Sequence, residues 1–242
     1  MTTTNSSRPA VLVPGHWLGA WAWDEVVEYL ATDDTHTVAM TLPGLDEDDA
    51  ERAAKTVDDQ AAAIRDAIAE QGDQPVILVA HSGANVPVSL VLDRHPELVA
   101  RVVWVDSGPV ADGTAFASDF PAELEDLPLP SFDDLGQQAS LEGLSAEMLE
   151  RFRTKAVPEP APVLRQCVEL TNEARRSVPT TLVCCSISGE QVMELVKAGH
   201  PMFAEVANLE RVDVVDLSTG HWPMWSRPRD LAEIIRAASQ TS

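Results

Sequence analysis

The sequence predicts an α/β fold: a doubly wound, mostly parallel sheet of about six strands, with helices on both faces and a helical cap insertion. Three observations predict it. Short apolar runs rich in β-branched residues alternate with helical patterns along the 242 residues. The runs are continuously apolar rather than alternating, as strands covered on both faces require. One long proline-rich stretch interrupts the rhythm without strand character, which is how an α/β chain carries a lid.

Taken in order, the first strand is Ala10–Val13. About ten residues precede it, which leaves little room for a leading hairpin and favours six core strands. A helix is expected over Trp21–Ala31 and a second strand over Val38–Thr41. The acidic cluster Asp46, Glu47, Asp48, Asp49 and Glu51 reads as a solvated loop. Thr56 and Asp59 have the spacing of a capping box, in which side chains satisfy the free N–H groups of a helix start, so a helix is expected over Val57–Glu70. Strand Val76–Ala80 follows, then a helix Gly83–Arg94 that ends before Pro96, then strand Arg101–Asp106. From 107 to 178 no strand-like run occurs, and prolines recur at 109, 121, 128, 130, 158, 160 and 162. Two amphipathic helices are expected there, Ala146–Ala156 and Ala161–Asn172. Strands Thr180–Cys185 and Val212–Leu217 and a helix Pro228–Ala238, with proline at its first turn, complete the pattern. Residues 1–242 thus read as a single domain, with 107–178 inserted as a cap.

Composition limits the partners. Hydrophobic residues make up 45% and charged residues 23%, the profile of a folded chain. The formal charge of −22 repels nucleic acid and anionic membrane, so neither is expected as a partner. No apolar run approaches the ~18 residues of a membrane span. The polar start, Met1 to Arg8, lacks the apolar core of a secretory signal. Cys167, Cys184 and Cys185 read as reduced, mostly buried thiols, which fits the cytoplasm. No metal-ligand spacing is present, and no metal or other cofactor is expected. A small-molecule substrate is the expected partner, and no pattern speaks to oligomeric state.

The strongest chemical signal is Val76-Ile77-Leu78-Val79-Ala80-His81-Ser82-Gly83-Ala84-Asn85. A buried strand runs through a small-x-Ser-x-small pentapeptide directly into a helix. To lift a serine out of the top of a sheet the chain must turn within one residue, which strains the backbone at Ser82 and demands small residues at Ala80 and Ala84. The helix that follows aims its N-terminus at the serine and favours an anion there. Ser82 is therefore the candidate nucleophile.

With this elbow, the chain resembles an α/β-hydrolase over nearly its whole length. Val13-Pro14-Gly15-His16-Trp17-Leu18-Gly19-Ala20-Trp21-Ala22-Trp23 is similar to the H-G-x-x-x-G-A-W-x-W segment of the plant methylesterase and hydroxynitrile-lyase branch, with Pro14 in place of the histidine. Thr41-Leu42-Pro43-Gly44 resembles that branch's next loop. Gly220-His221-Trp222-Pro223-Met224-Trp225-Ser226-Arg227-Pro228 is close to its D-H-M-x-M-x-S-K-P. The resemblance implies that His221 is the general base and that the backbone N–H groups of His16 and Gly83 form the oxyanion hole. It also implies that Trp17, His81, Trp222 and Trp225 surround the substrate. Phe116, Phe120, Leu127 and Phe132 would be added by the cap.

The acid departs from that branch. No Asp follows Thr181–Cys185, where the branch carries it, and the first carboxylate there is Glu190. Asp106, at the end of the strand before the cap, stands where some other α/β-hydrolases, notably some dehalogenases, carry theirs. A carboxylate closing an apolar strand needs a partner, and His221 would supply one. Asp106 is preferred, with Glu190 as the alternative and Asp216 as the outsider. The implied function is a serine esterase or lactonase that takes a small or medium, largely apolar substrate. Cyanohydrin cleavage is disfavoured because Trp222 and Gly15 replace the Lys and Thr of the lyases. A non-hydrolytic small-molecule binder, or a lyase or C–C hydrolase on the same fold, is the alternative.

Overall fold

The computed structural model describes residues 8–31 and 36–240. The polar start read as lacking a secretory signal lies, apart from Arg8, outside the described residues. The elements in chain order are β1 (Ala10–Val13), α1 (Asp24–Ala31), β2 (Thr37–Ala39), α2 (Val57–Ala69), β3 (Val76–His81), α3 (Asn85–Arg94) and β4 (Val99–Val105). The excursion after β4 holds β5 (Asp126–Leu127), α4 (Phe132–Leu135), α5 (Ala146–Lys155), β6 (Glu159–Pro160) and α6 (Ala161–Arg165). Then come β7 (Thr180–Cys184), α7 (Gly189–Lys197), β8 (Val212–Asp216), α8 (Pro223–Ser226) and α9 (Pro228–Gln240).

Six strands form one parallel sheet in the order β2-β1-β3-β4-β7-β8. Successive side chains of a strand point to opposite faces, and both faces are apolar here. Val11, Val13, Leu78, Ala80, Val102 and Trp104 pack with α2 and α3 through Ile64, Ile68, Val88 and Leu92. Ala10, Leu12, Ile77, Val79, Val103 and Val105 pack with α1 and α9 through Val26, Leu30, Leu231 and Ile235. That double coverage explains the continuous apolarity of β1, β3 and β7, which are buried at every residue, and of β4, buried at all but Ala100. Edge strand β8 is partly exposed, and Asp213 on it pairs with Arg101 at 2.5 Å.

The sheet order positions the site. The chain leaves β1 toward β2 on one side, and β3 lies on β1's other side. The loops after β1 and β3 therefore stand beside each other at the carboxyl ends of the strands, where open α/β sheets hold ligands.

The sequence reading needs four corrections. Residues Ala20–Trp23 form a 3₁₀ turn ahead of α1, and Ser82–Ala84 form another ahead of α3. The excursion does contain strands: β5 and β6 pair antiparallel, Asp126 with Pro160 and Leu127 with Glu159. The helix expected over Ala161–Asn172 stops at Arg165. The Gln166 side chain accepts from the Val57 N–H and donates to Asp58, while Val168 pairs its backbone with Gly113 and Thr114. Those bonds draw residues 166–170 out of helical geometry. Finally, α7 was not anticipated, although Ser188 and Gln191 form its capping box.

Candidate active site

Among the described residues, three non-glycine residues have positive φ: Trp17 (64°), Ser82 (51°) and Asp106 (45°). Side-chain sterics disfavour this region, so such residues persist only where the surroundings hold them. All three lie in the loops that leave β1, β3 and β4 at the same end of the sheet. Ser82 turns the chain from β3 into the 3₁₀ turn, and its carbonyl accepts a hydrogen bond from the Ser107 hydroxyl at 2.8 Å. Gly15 allows the β1 loop to close on this elbow. A Cβ there would lie 2.8 Å from the Ser82 Cβ and 2.9 Å from the His81 carbonyl oxygen.

The His221 loop follows β8 and is fixed from three sides. The His221 N–H donates to the Ser140 carbonyl at 2.8 Å, and the Gly220 N–H donates to that of Glu142 at 3.2 Å. The His81 Nε2–H donates to the His221 carbonyl at 2.8 Å. This aims the imidazole so that Nε2 lies 2.8 Å from the Ser82 Oγ, while Nδ1 lies 2.6 Å from the Asp106 Oδ2. Asp106 is gripped in turn. Its Oδ1 accepts the N–H groups of Cys185 and Ser186 at 3.0 and 2.9 Å, and its Oδ2 accepts the Ser186 hydroxyl at 2.5 Å. Burial alone would raise the Asp106 carboxyl, but the bonds from His221 and Ser186 outweigh it and hold the group at about 2. Asp106 is thus ionised across the whole neutral range.

The remaining candidates are placed as follows. Glu190 lies exposed in the first turn of α7, whereas the side-chain partners of His221 are Asp106 and Ser82. Asp216 accepts the Gly189 N–H at 2.6 Å and thereby caps α7. The backbone N–H of His16 has no acceptor among the described residues. The N–H of Gly83 belongs to the first turn after Ser82, where N–H groups lack acceptors within the helix. Trp17 hooks the β1 loop to the excursion: its ring N–H donates to the Leu127 carbonyl at 3.0 Å, and its carbonyl accepts from the Val157 N–H. Trp222 stands edge-on to His221 with ring centres 4.9 Å apart.

Two residues expected at the substrate have packing duties instead. Trp225 donates to the Ala22 carbonyl at 3.0 Å and stacks on Trp21, with Phe152 against its edge. His81 is 1% exposed, and burial, reinforced by His221, pushes its imidazole down to about 3, so it is a neutral strut beneath the His221 loop. Sequence reasoning missed Ser107, Ser186 and Glu159. Of these, only the serines had a signal, as small polar residues just past strands that end at the site.

Among the described residues no cluster of His, Cys, Asp and Glu is arranged to hold a metal, and no helix is long and apolar enough to cross a membrane.

The family model of the alpha/beta hydrolases matches residues 10–234. The chain belongs to the alpha/beta hydrolase family. Similar family members include Methylesterase 7 of Arabidopsis thaliana, 24% identical over 261 residues that cover 96% of each chain. A chloroplastic relative from the same plant, carrying the name methylesterase 14, is 28% identical over 116 residues. That match covers 47% of this chain and only 33% of the relative's length. Among solved structures, an extracellular α/β-hydrolase from a Paenibacillus species superposes with a TM-score of 0.74 at 21% identity, covering 96% of this chain and 98% of the other. A methylesterase protein from Arabidopsis gives 0.72 at 16% identity, covering 97% and 100%. Both share the fold of this chain, whose sheet has six parallel strands.

Proposed function

We propose that the protein is a carboxylic ester hydrolase that cleaves small or medium esters or lactones through an acyl-enzyme on Ser82. The observation that carries this is the relay from Ser82 Oγ to His221 Nε2 at 2.8 Å and from His221 Nδ1 to Asp106 at 2.6 Å. His221 takes the Ser82 proton as Oγ attacks the ester carbonyl, and the ionised Asp106 stabilises the resulting imidazolium. The N–H groups of His16 and Gly83 receive the negative oxygen of the tetrahedral intermediate. His221 then protonates the leaving alkoxide, and water, activated by the same base, releases the acid. The names of the Arabidopsis relatives favour esters, and methyl esters among them. The buried aromatic surroundings, Trp17, Trp222 and Phe152, favour a mainly apolar substrate.

Asp106 beside His221 supports hydrolysis over a non-hydrolytic small-molecule binder. The test is a panel of methyl, 4-nitrophenyl and lactone substrates, with Ser82→Ala as blank. Hydrolysis that vanishes in Ser82→Ala is expected. Equal rates in both proteins, or none with any ester, would reject the proposal.

A further inference from the structure

The Ser82–Gly83 peptide unit has two polar ends, and the proposed reaction uses one of them. Its N–H, on Gly83, is one of the two donors assigned to the oxyanion. Its C=O, on Ser82, faces the other way, because the C=O and N–H of a planar trans peptide point in opposite directions. Whatever holds the Ser82 carbonyl therefore aims the Gly83 N–H. Two groups hold it. The Asn85 N–H donates to this carbonyl within the 3₁₀ turn. The second donor comes from another strand: the Ser107 hydroxyl, 2.8 Å away, just past the end of β4. A carbonyl oxygen only accepts, so the hydroxyl must be the donor. The bond falls on a residue that needs holding, since Ser82 has a φ of 51°. Ser107 is anchored in turn. Asp106, just before it, donates its N–H to the Val183 carbonyl at 2.9 Å and so continues the pairing of β4 with β7.

The other oxyanion donor is held differently. The His16 N–H belongs to the peptide whose C=O is on Gly15, and that carbonyl accepts the Leu18 N–H at 3.3 Å, inside its own turn. The His16 ring is tied to the excursion, with Nδ1 2.9 Å from Glu159 Oε2. It also lies against Gly83, where a Cβ would come within 2.1 Å of Nε2, so the two donors sit on neighbouring residues. The Gly83 donor is gripped through a side-chain hydroxyl, and one substitution can release it without touching the backbone.

We propose that Ser107 is a positioning residue for the oxyanion hole: its hydroxyl holds the Ser82 carbonyl and so aims the Gly83 N–H at the oxygen that gains charge. The bond also polarises the peptide, because a unit whose carbonyl accepts a hydrogen bond donates a stronger one from its N–H. Asp106 and Ser107, adjacent in the chain, thus serve the proton relay and the oxyanion respectively. This role rests on the reading of Ser82 as the acylated nucleophile. The test compares wild type, Ser107→Ala and Ser107→Thr in hydrolysis of 4-nitrophenyl butanoate and in inhibition by 1,1,1-trifluoroheptan-2-one and heptan-2-one. Ser82 Oγ adds to the carbonyl carbon of the trifluoromethyl ketone, the serine proton passes to His221, and the ketone oxygen becomes the oxyanion. The methyl ketone only occupies the site.

Removing an oxyanion donor outright costs about 10²–10³ in kcat, and releasing its peptide at one end should cost about tenfold. Ser107→Ala is therefore expected to lower kcat about tenfold with KM within about twofold, and to weaken the trifluoromethyl ketone about tenfold while heptan-2-one binds unchanged. Ser107→Thr, which keeps the hydroxyl, should recover most of both losses. Ser107→Cys, close in size and a weak donor, gives the same comparison if the alanine variant fails to fold. The acid limb of kcat/KM, set by His221, should stay in place. Equal weakening of both ketones, or an acid limb that moves, would mean that Ser107 acts through packing or through Asp106 and would overturn the proposal. An active wild type beside an equally active Ser107→Ala overturns this proposal alone. A wild type that neither hydrolyses the ester nor prefers the trifluoromethyl ketone overturns the hydrolase reading with it.

Discussion

Replacing Asp106 by asparagine changes one atom and, on this geometry, reverses the polarity of the relay. Cys185 and Ser186 donate their N–H groups to Oδ1. To keep those two bonds the asparagine must place its carbonyl there, which puts its NH2 at the Oδ2 position, against His221 Nδ1. The amide can only donate, so Nδ1 becomes the acceptor and the imidazole proton moves to Nε2. That nitrogen then faces the Ser82 hydroxyl with a hydrogen and cannot take its proton. The equivalent change in a serine protease lowers kcat by about 10⁴, and a loss of about 10³–10⁴, or ~4–5.5 kcal/mol of barrier, is expected here. The fold should survive. Asp106 is held at about 2 against an ordinary value of 3.8, which is worth about 2 kcal/mol of stability above pH 4 and is lost as pH falls through 2. Steady-state kcat and urea unfolding at pH 7 measure both effects. If Asp106→Asn kept kcat within tenfold of wild type while Glu190→Gln abolished it, the acid assignment would be wrong.

Three further outcomes follow from the same contacts. His81 titrates near 6.5 when unfolded and near 3 when folded, so between these values the unfolded chain binds the extra proton and stability falls as pH drops. Between pH 7 and 4.5, urea unfolding should show wild type losing about 2 kcal/mol more than His81→Gln, which keeps a donor for the His221 carbonyl. Gly83→Ala sets a methyl 2.1 Å from His16 Nε2 and should lower kcat/KM at least tenfold, with most of the loss recovered in Gly83→Ala/His16→Ala relative to His16→Ala. Arg52 bonds Asp126 Oδ2 at 3.1 Å and the Pro158 carbonyl at 2.8 Å, tying β5 and the residue before β6 to the body. Arg52→Ala should raise KM several-fold, leave kcat within about twofold, and speed limited proteolysis near residues 121–130.

The central strands were legible because burial on both faces leaves a mark that composition alone carries, as in Val76–Val79. The elbow was legible because its turn demands small residues at 80 and 84. Asp106 could be narrowed to but not singled out, since its selection depends on a φ of 45° that aims the carboxylate at His221. Glu159 was invisible for a similar reason. It meets His16 only because β6 pairs with β5, and two-residue strands have no periodicity to read. The early end of α6 was hidden as well, because Gln166 is recruited by α2, a tertiary contact that overrides local helical pattern. The tryptophans were the least decidable. Position in a loop near the serine does not reveal which way a ring turns, and Trp225 turns to Ala22.

Everything proposed for the site depends on Ser82 being a nucleophile activated by His221. Intact-mass and peptide mass spectrometry after incubation with a fluorophosphonate probe tests it most directly. One adduct per chain is expected, on the peptide containing Ser82, absent in Ser82→Ala and slowed by orders of magnitude in His221→Ala. Folded wild-type protein that takes no adduct, or takes it on another residue, would contradict it.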